Sequence, residues 1–282
     1  DMKQSLWQIL PIGPNDYSNS PYSSISTFAG NHLLISLDLL VKDGLLDPVQ
    51  NLIEFKTQKV DFNDVIKFKM PILKEVAQSF GIRASSIMQQ EYEDFCIKNS
   101  YWLNDYSKYW ALREVNAHKS WIDWNQNQSY NLDLAREAKI IQFVFHSQWS
   151  RLHEYCKDKG IEIIGDMPIY VSYNSADVYA NQELFQLDKK GRMRYQGGCP
   201  PCEYQKEGQL WGVPLYDWKN HENSKFEWWH NRFRKLFEMV DIIRLDHFIG
   251  YAKYYRIPIA DKTAEKGLWN EKEGMWEFLD GQ

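Results

Sequence analysis

The segment Arg244-Leu245-Asp246-His247-Phe248 holds the residues best suited to chemistry, because a guanidinium and a carboxylate stand two positions apart. The apolar run at 241–246 predicts a β-strand, and residues two apart on a strand point to the same side. A neighbouring guanidinium favours the ionised form of a carboxylic acid. A retaining glycosidase uses such an ionised carboxylate as its nucleophile. A salt bridge at a strand end, without chemistry, also fits this pattern, so both interpretations stay open.

A second carboxylate, Asp166, ends the apolar run that starts at Ile161. Alone, it also fits an Asp that caps a helix or forms a turn. Further along, Gly and Pro residues predict a loop around Gln209 and Trp211, which suit hydrogen bonding to sugar hydroxyls and stacking on a sugar ring. Ordinary packing is the other interpretation of that loop. Two strand-end carboxylates together with aromatic loops favour a sugar-binding site.

The Cys199-Pro200-Pro201-Cys202 segment has the C-x-x-C spacing of zinc and redox sites. A zinc site would need a second ligand pair, and Cys96 and Cys156 are not paired in the sequence. A redox motif would start a helix, whereas Gly197-Gly198 predict a loop here. We interpret the segment as two ordinary thiols and expect no metal. Four cysteines in 282 residues are not a disulfide framework, which predicts a reducing, cytoplasmic location.

The elements that position these residues alternate between helix and strand. Helices predicted at 134–159 and 224–239 each lead into one of the two strands that end in a carboxylate. Another strand is predicted at 6–11, and a weaker one at 253–259. This order is typical of an α/β protein, either a βα barrel or an open sheet, in which chemistry takes place at the carboxyl ends of the strands.

The composition excludes several classes of protein. The chain has 33 Lys and Arg against 38 Asp and Glu, a net charge of −5, and no basic stripe, so we expect no nucleic-acid partner. No apolar run is long enough to span a bilayer, and the first residues lack a signal-peptide pattern, so we expect no membrane partner. Aromatic residues are 15% of the chain, which suits either a bulky core or flat faces for sugars.

Taken together, these segments resemble the 4-α-glucanotransferase family, which comprises amylomaltase and disproportionating enzyme and is glycoside hydrolase family 77. The resemblance covers nearly the whole chain. It rests on segments at 6–14, 20–22, 28–31, 165–171, 175–178, 209–218 and 244–248. It implies an α/β fold, a (β/α)8 TIM barrel with helical insertions, of which only part is present in this chain.

The family resemblance also implies a division of the chain into three parts. Residues 1–30 would form a barrel strand and a substrate loop, 31–130 a mainly helical insertion subdomain, and 131–282 the central part of the catalytic barrel. The implied activity is transfer of α-1,4-glucan segments between maltodextrins by retaining double displacement, without any cofactor. The implied partner is therefore a maltooligosaccharide, and the oligomeric state stays unknown.

The resemblance assigns a role to each candidate site residue. Asp246 would be the nucleophile and Arg244 its ion partner. The remaining residues would bind the substrate: Tyr17, Ser20, Tyr22, Asp166, Gln209, Trp211 and His247.

Three positions depart from the family pattern and affect the expected substrate contacts. Cys202 stands where the family usually has Asp after two prolines, although the next residue, Glu203, offers a carboxylate. Ile249 replaces an Arg after the nucleophile segment, and Val213 replaces an Asn.

The resemblance places one barrel strand before Leu6 and the general acid/base Glu and a third carboxylate after Gln282. The acids near the end of the chain, Glu271, Glu273, Glu277 and Asp280, do not stand in a matching motif. We therefore expect residues 1–282 alone to lack appreciable transglycosylation activity. Two alternatives stay open: a non-catalytic glucan-binding relative, and an α-glucan hydrolase of the α-amylase superfamily.

Overall fold

The computed structural model describes residues 3–16, 18–49, 58–125 and 127–270. The strands in these ranges are β1 Leu6–Gln8, β2 Glu162–Met167, β3 Tyr195–Cys199, β4 Gln209–Leu210, β5 Ile242–Leu245, β6 Tyr254–Pro258 and β7 Leu268–Asn270. The α-helices are α1 Leu37–Lys42, α2 Phe62–Arg83, α3 Ser86–Lys98, α4 Ser100–Val115, α5 Leu132–Asp158, α6 Ala176–Ala180, α7 Trp218–Asn223 and α8 Glu227–Phe237. No helix in the described part of the chain is both long and apolar enough to cross a membrane.

The three strands predicted from apolar runs near 6–11, 161–166 and 241–246 form one parallel sheet in the order β1-β2-β5. Trp7 pairs with Ile163, and Asp166 pairs with Arg244 at the far end. The predicted α/β class is therefore confirmed. The described residues contain three parallel strands, so their sheet is open rather than a closed barrel.

A second sheet, with the order β4-β3-β6-β7, is antiparallel. The prediction of a loop at Gly197-Gly198 was wrong, because both glycines lie in β3. A side chain at Gly198 would collide with the carbonyl oxygen of Gln209 on β4, so glycine is what allows these backbones to approach. The weak strand predicted at 253–259 exists as β6, but it pairs with β3 and not with the parallel sheet.

The long helix predicted at 134–159 is confirmed as α5, with the Asn131 side chain capping its first turn. The helix predicted at 224–239 is confirmed as α8, which begins three residues later and ends two residues earlier. Lys225 and Phe226, just before α8, have φ values of 52° and 55°, a left-handed backbone that no α-helix continues through, and this backbone separates α8 from α7.

The predicted helical content of 31–130 is also confirmed, since α1 to α4 lie there. Helix α2 buries Leu73, Val76 and Phe80 against α5. Ile66, nearer the start of α2, is 38% exposed, so the buried stripe of this helix begins after it.

Two glutamines on α5 connect this helix to the segment that follows the first loop. Gln142 is completely buried, accepts a hydrogen bond from the Gly30 amide (2.8 Å) and donates one to the Gly30 carbonyl (2.9 Å). Gln148 makes the same pair of bonds to Ser36. Gln142 thus satisfies the Gly30 amide and carbonyl, which would otherwise be buried without partners.

We expect Gln142→Leu to destabilise the protein by about 2–4 kcal/mol, because it removes both partners of Gly30 and leaves an amide and a carbonyl buried without hydrogen bonds. Urea unfolding followed by circular dichroism measures this loss. The matched control is Gln90→Leu on the exposed side of α3, with an expected change within about 0.5 kcal/mol. Equal stabilities of the two variants would contradict the role of Gln142.

Candidate active site

The carboxyl ends of β2 and β5 bring two acids to a single arginine. Arg244 Nη1 donates to Asp166 Oδ1 (2.7 Å), and Nη2 donates to Asp246 Oδ1 (2.7 Å). The parallel register places Asp166 directly beside Arg244, and the period of two along β5 places Asp246 on the same side. The expected shared orientation of Arg244 and Asp246 is confirmed, and the structure adds Asp166 to the pair.

The two acids differ in their access to solvent. The Asp166 side chain is 2% exposed, whereas that of Asp246 is 32% exposed. Asp166 Oδ2 accepts a hydrogen bond from the Tyr22 hydroxyl (2.7 Å), so both of its oxygens are occupied by protein groups. Asp166 therefore positions Arg244 and Tyr22, while Asp246 faces open space.

The charged groups at this edge of the sheet shift the pKa values of neighbouring side chains. The hydrogen bond to Asp166 raises the pKa of the Tyr22 phenol, and partial burial of Tyr22 raises it further. The hydroxyl therefore stays protonated and acts as a donor. The hydrogen bond from Arg244 to Asp166 and the charges of both acids raise the pKa of the guanidinium. Arg244 thus stays a cation held by two anions.

A cavity of about 580 Å³ opens in front of Asp246. It brings together six of the residues predicted from the sequence, which come from the first loop, from β4 and from the end of β5: Ser20, Tyr22, Gln209, Trp211, Asp246 and His247. Arg244 and Asp166 are not in the lining and lie behind it. Tyr17 lies outside the described residues.

One wall of the cavity is formed by Trp211, which follows β4. Its indole Nε1 donates to Gln209 Oε1 (2.7 Å), which fixes both side chains. The His247 ring meets the indole edge to face, with centroids 4.9 Å apart. His247 has a left-handed backbone (φ 49°), and its Nε2 is buried without a hydrogen-bond partner. Burial lowers the pKa of His247, which favours a neutral imidazole beside the cavity.

Sequence reasoning missed Tyr170 as a residue of this site. Its ring lies 5.9 Å from that of Trp211 and 6.5 Å from that of His247, and it stacks on Tyr216 behind it. Tyr170 lines the cavity although it is only 8% exposed. In the sequence, Tyr170 stands four residues after Asp166, close enough to a strand end to be a site residue. That segment was interpreted for its carboxylate alone.

Asp246 is the one carboxylate that lines this cavity among the residues the structure describes. Neither Cys199 nor Cys202 lines it, and both are free thiols. Glu203, considered as a substitute for the usual Asp, is exposed and also outside the lining. In the described ranges, no group of three or more His, Cys, Asp and Glu side chains is arranged to hold a metal ion.

Comparison with known sequences connects this arrangement to one family. A sequence model described as 4-alpha-glucanotransferase matches residues 1–279. The chain is 36% identical over 294 residues to the 4-alpha-glucanotransferase of Synechocystis sp., covering 99% of this chain and 58% of the relative. It is 37% identical over 288 residues to the 4-alpha-glucanotransferase of Aquifex aeolicus, covering 97% of this chain and 58% of that protein. The chain thus spans somewhat more than half the length of these relatives.

Solved structures give the same relationship. An amylomaltase from Streptococcus agalactiae in complex with acarbose superimposes with a TM-score of 0.88 at 33% identity, covering 95% of this chain and 57% of that one. An amylomaltase from Corynebacterium glutamicum, 17% identical, superimposes with a TM-score of 0.76 over 95% of this chain and 38% of that one, which shows a shared fold.

We expect Asp166→Asn to lower the melting temperature by about 4 °C or more, because it removes a buried charge that holds Arg244 and Tyr22. Asp246→Asn is the matched variant. It should lower the melting temperature by no more than about 2 °C, since Asp246 makes its bond to Arg244 in partial contact with solvent. Calorimetry of both variants tests the difference, and a larger effect at Asp246 would reverse the assignment of roles.

Proposed function

The chain belongs to the 4-α-glucanotransferase family, glycoside hydrolase family 77, and we propose that the complete protein transfers α-1,4-glucan segments between maltodextrins. The observation that carries this proposal is the bridge from Arg244 to two strand-end acids, with the exposed acid opening into a cavity lined by hydroxyl and aromatic side chains. Such a lining suits a neutral polyhydroxylated substrate better than a charged one.

In the proposed mechanism, Asp246 is the nucleophile. Its carboxylate attacks the anomeric carbon of the donor glucan, a C–O bond to Asp246 forms, and the glycosidic C–O bond breaks. A general acid protonates the leaving 4-oxygen. In the second step, the deprotonated acid acts as a base and takes the proton from the 4-hydroxyl of an acceptor glucan. The 4-oxygen attacks the same anomeric carbon, and the C–O bond to Asp246 breaks. The Arg244 guanidinium holds Asp246 in position throughout by its hydrogen bond.

Retaining chemistry needs a second carboxyl group about 5–5.5 Å from the nucleophile. Asp166 is a poor candidate, because both of its oxygens are already hydrogen-bonded and its side chain is buried. We propose that the general acid comes from outside the described residues, and the family resemblance places it after Gln282.

The other lining residues have proposed roles in binding the donor sugar. Trp211 would stack on a sugar ring, and Gln209 beside it would bond hydroxyls. His247, held neutral by burial, would contact the sugar at the nucleophile without adding charge. Ser20 and Tyr22 would contribute hydroxyl groups from the first loop. The relative from Streptococcus agalactiae was solved with acarbose, which is consistent with a glucan-like ligand.

We also propose that the parallel sheet belongs to a (β/α)8 barrel. The outer sides of β1 and β5 have no strand partner in the described part of the chain, and Leu6 and Trp7 of β1 are 51% and 44% exposed. Further strands paired there would bury this apolar surface. The division into 1–30, 31–130 and 131–282 stays a proposal, as does a cytoplasmic location; one relative, from Arabidopsis thaliana, is named as chloroplastic/amyloplastic.

The direct test is to incubate the complete protein with maltotriose and separate the products. A transferase yields glucose together with longer maltodextrins, whereas an α-glucan hydrolase yields only shorter sugars. A non-catalytic glucan-binding protein yields neither. Accumulation of products longer than maltotriose would therefore support the proposal against both alternatives.

We expect Asp246→Asn in the complete protein to abolish transfer, with a fall in turnover of roughly 10⁴-fold or more, because the amide keeps the shape but is not a nucleophile. Asp158→Asn, at the exposed end of α5, removes the same charge and should leave turnover unchanged. Near-normal turnover of maltotriose by Asp246→Asn would refute the assignment of the nucleophile.

We expect Trp211→Ala to weaken maltoheptaose binding about tenfold while lowering the melting temperature by less than about 3 °C. The reason is that Trp211 is half-buried in the cavity wall rather than enclosed in the core. Calorimetric titration of the Asp246→Asn protein measures binding without turnover. Unchanged affinity with a large loss of stability would identify Trp211 as a packing residue instead.

A further inference from the structure

A second cavity, of about 270 Å³, lies among α4, α6 and α8 and shares no lining residue with the cavity in front of Asp246. We call it the acidic cavity. Four carboxylates line it from four different elements: Asp105, Asp177, Glu183 and Glu227. Its described lining contains no Lys, Arg or His, so the charge of these acids is not balanced from within the cavity.

Asp177 is the buried member of this group, with 3% of its surface exposed. Its Oδ2 accepts a hydrogen bond from the Thr27 amide (2.9 Å), but its Oδ1 is buried without a partner. A buried carboxylate oxygen without a hydrogen bond is costly, because it has lost water and gained nothing in exchange. Burial accordingly raises the pKa of Asp177 to about 6.

Two cations act on these acids from outside the cavity: the charge of Arg232 opposes the effect of burial on the pKa of Asp177, and that of Lys108 opposes it at Asp105. Arg232 donates to the carbonyls of Pro168 and Ile169 and lies against the Trp228 ring, and Lys108 lies over the Tyr179 ring. Neither lines the acidic cavity. The three acids at its mouth are exposed, so they form an electrostatic funnel towards the buried Asp177.

The lining has one further unpaired buried atom, the Trp228 indole Nε1, which is a hydrogen-bond donor. An occupant that satisfies both atoms therefore needs a donor for Asp177, for which a cation is the stronger partner, and an acceptor oxygen for Trp228. A simple metal ion lacks the acceptor, and the described acids are not grouped closely enough to coordinate one. The rings of Phe28, Trp102 and Trp228 are at most 7% exposed, which leaves Tyr101, 37% exposed, as the lining ring that a ligand could stack on.

We propose that the acidic cavity is a binding site for a small organic ammonium ion that carries hydroxyl groups. The ammonium group would donate to Asp177 Oδ1, and a hydroxyl oxygen would accept from Trp228 Nε1. Asp105 and Glu227 at the mouth would attract the ion. This site is independent of the glucan chemistry, so its test does not depend on turnover.

Three probes of nearly the same shape separate the two requirements. Tris carries three hydroxymethyl groups and an ammonium, pentaerythritol replaces the ammonium with a fourth hydroxymethyl group, and tert-butylammonium keeps the charge without hydroxyls. Calorimetric titration of the complete protein in phosphate buffer at neutral pH should show one Tris per chain. Pentaerythritol should bind about tenfold more weakly or worse, and tert-butylammonium at least about threefold more weakly.

Variants locate the binding. Asp177→Asn should weaken Tris binding about tenfold, because the amide keeps the bond from Thr27 but loses the charge. Glu154→Gln, on an exposed part of α5, removes a charge elsewhere and should change nothing. If Asp177→Asn does not fold, as judged by circular dichroism, the double variant Asp105→Asn/Glu227→Gln carries the test, with an expected weakening of about threefold.

Several results would overturn the proposal. Equal affinities for Tris and pentaerythritol would show that charge is not recognised, and equal affinities for Tris and tert-butylammonium would remove the role of Trp228. Loss of Tris binding in saturating maltotriose would place it in the cavity of Asp246. The site would be excluded if the unmodified protein bound no Tris. It would also be excluded if Tris bound with unchanged affinity to Asp177→Asn or, where that variant does not fold, to the double variant.

Discussion

The arrangement of the candidate site depends on one guanidinium that joins two adjacent strand ends. Arg244 has a planar fork of donors, and the parallel register of β2 and β5 sets one acid on each side of it. The two bonds have equal length, but the two acids have different surroundings. Asp166 is enclosed and hydrogen-bonded on both oxygens, so it serves as an anchor. Asp246 remains partly open and is the acid that a ligand can reach.

The antiparallel sheet completes the site by building a wall over these strand ends. β3 and β4 approach so closely that Gly198 has no room for a side chain, and that approach sets the position of Gln209 and Trp211. Gly197 likewise leaves space that Val213 and Tyr170 fill. Glycines usually weaken a strand. Here Gly197 and Gly198 allow neighbouring groups to pack closely enough to form the cavity wall.

Local patterns predicted the parts of this molecule that depend on local interactions. The strand ends at Asp166 and Asp246 follow from apolar runs that stop at a charge, and α5 follows from the spacing of its apolar residues. Other features depend on contacts between distant residues. The hydrogen bond from Tyr22 to Asp166 joins residues 144 positions apart, and no local sequence pattern predicts it. The pairing of β3 with β4 and β6 was missed because Gly and Pro around Cys199 have the composition of a loop.

The sequence left two interpretations of the abundant aromatic residues, a bulky core and sugar-binding faces. In the structure, aromatic residues of the core support the wall of the cavity. About half of the aromatic residues in the described part of the chain are buried, and Trp228 and Trp229 pack against the guanidinium of Arg232, with Trp229 fully enclosed. Arg232 in turn donates to the carbonyls of Pro168 and Ile169, the residues that follow β2. Those two residues lead directly to Tyr170 in the cavity wall. The aromatic core therefore fixes the backbone immediately after Asp166, and a change deep in α8 reaches the cavity through a single buried cation.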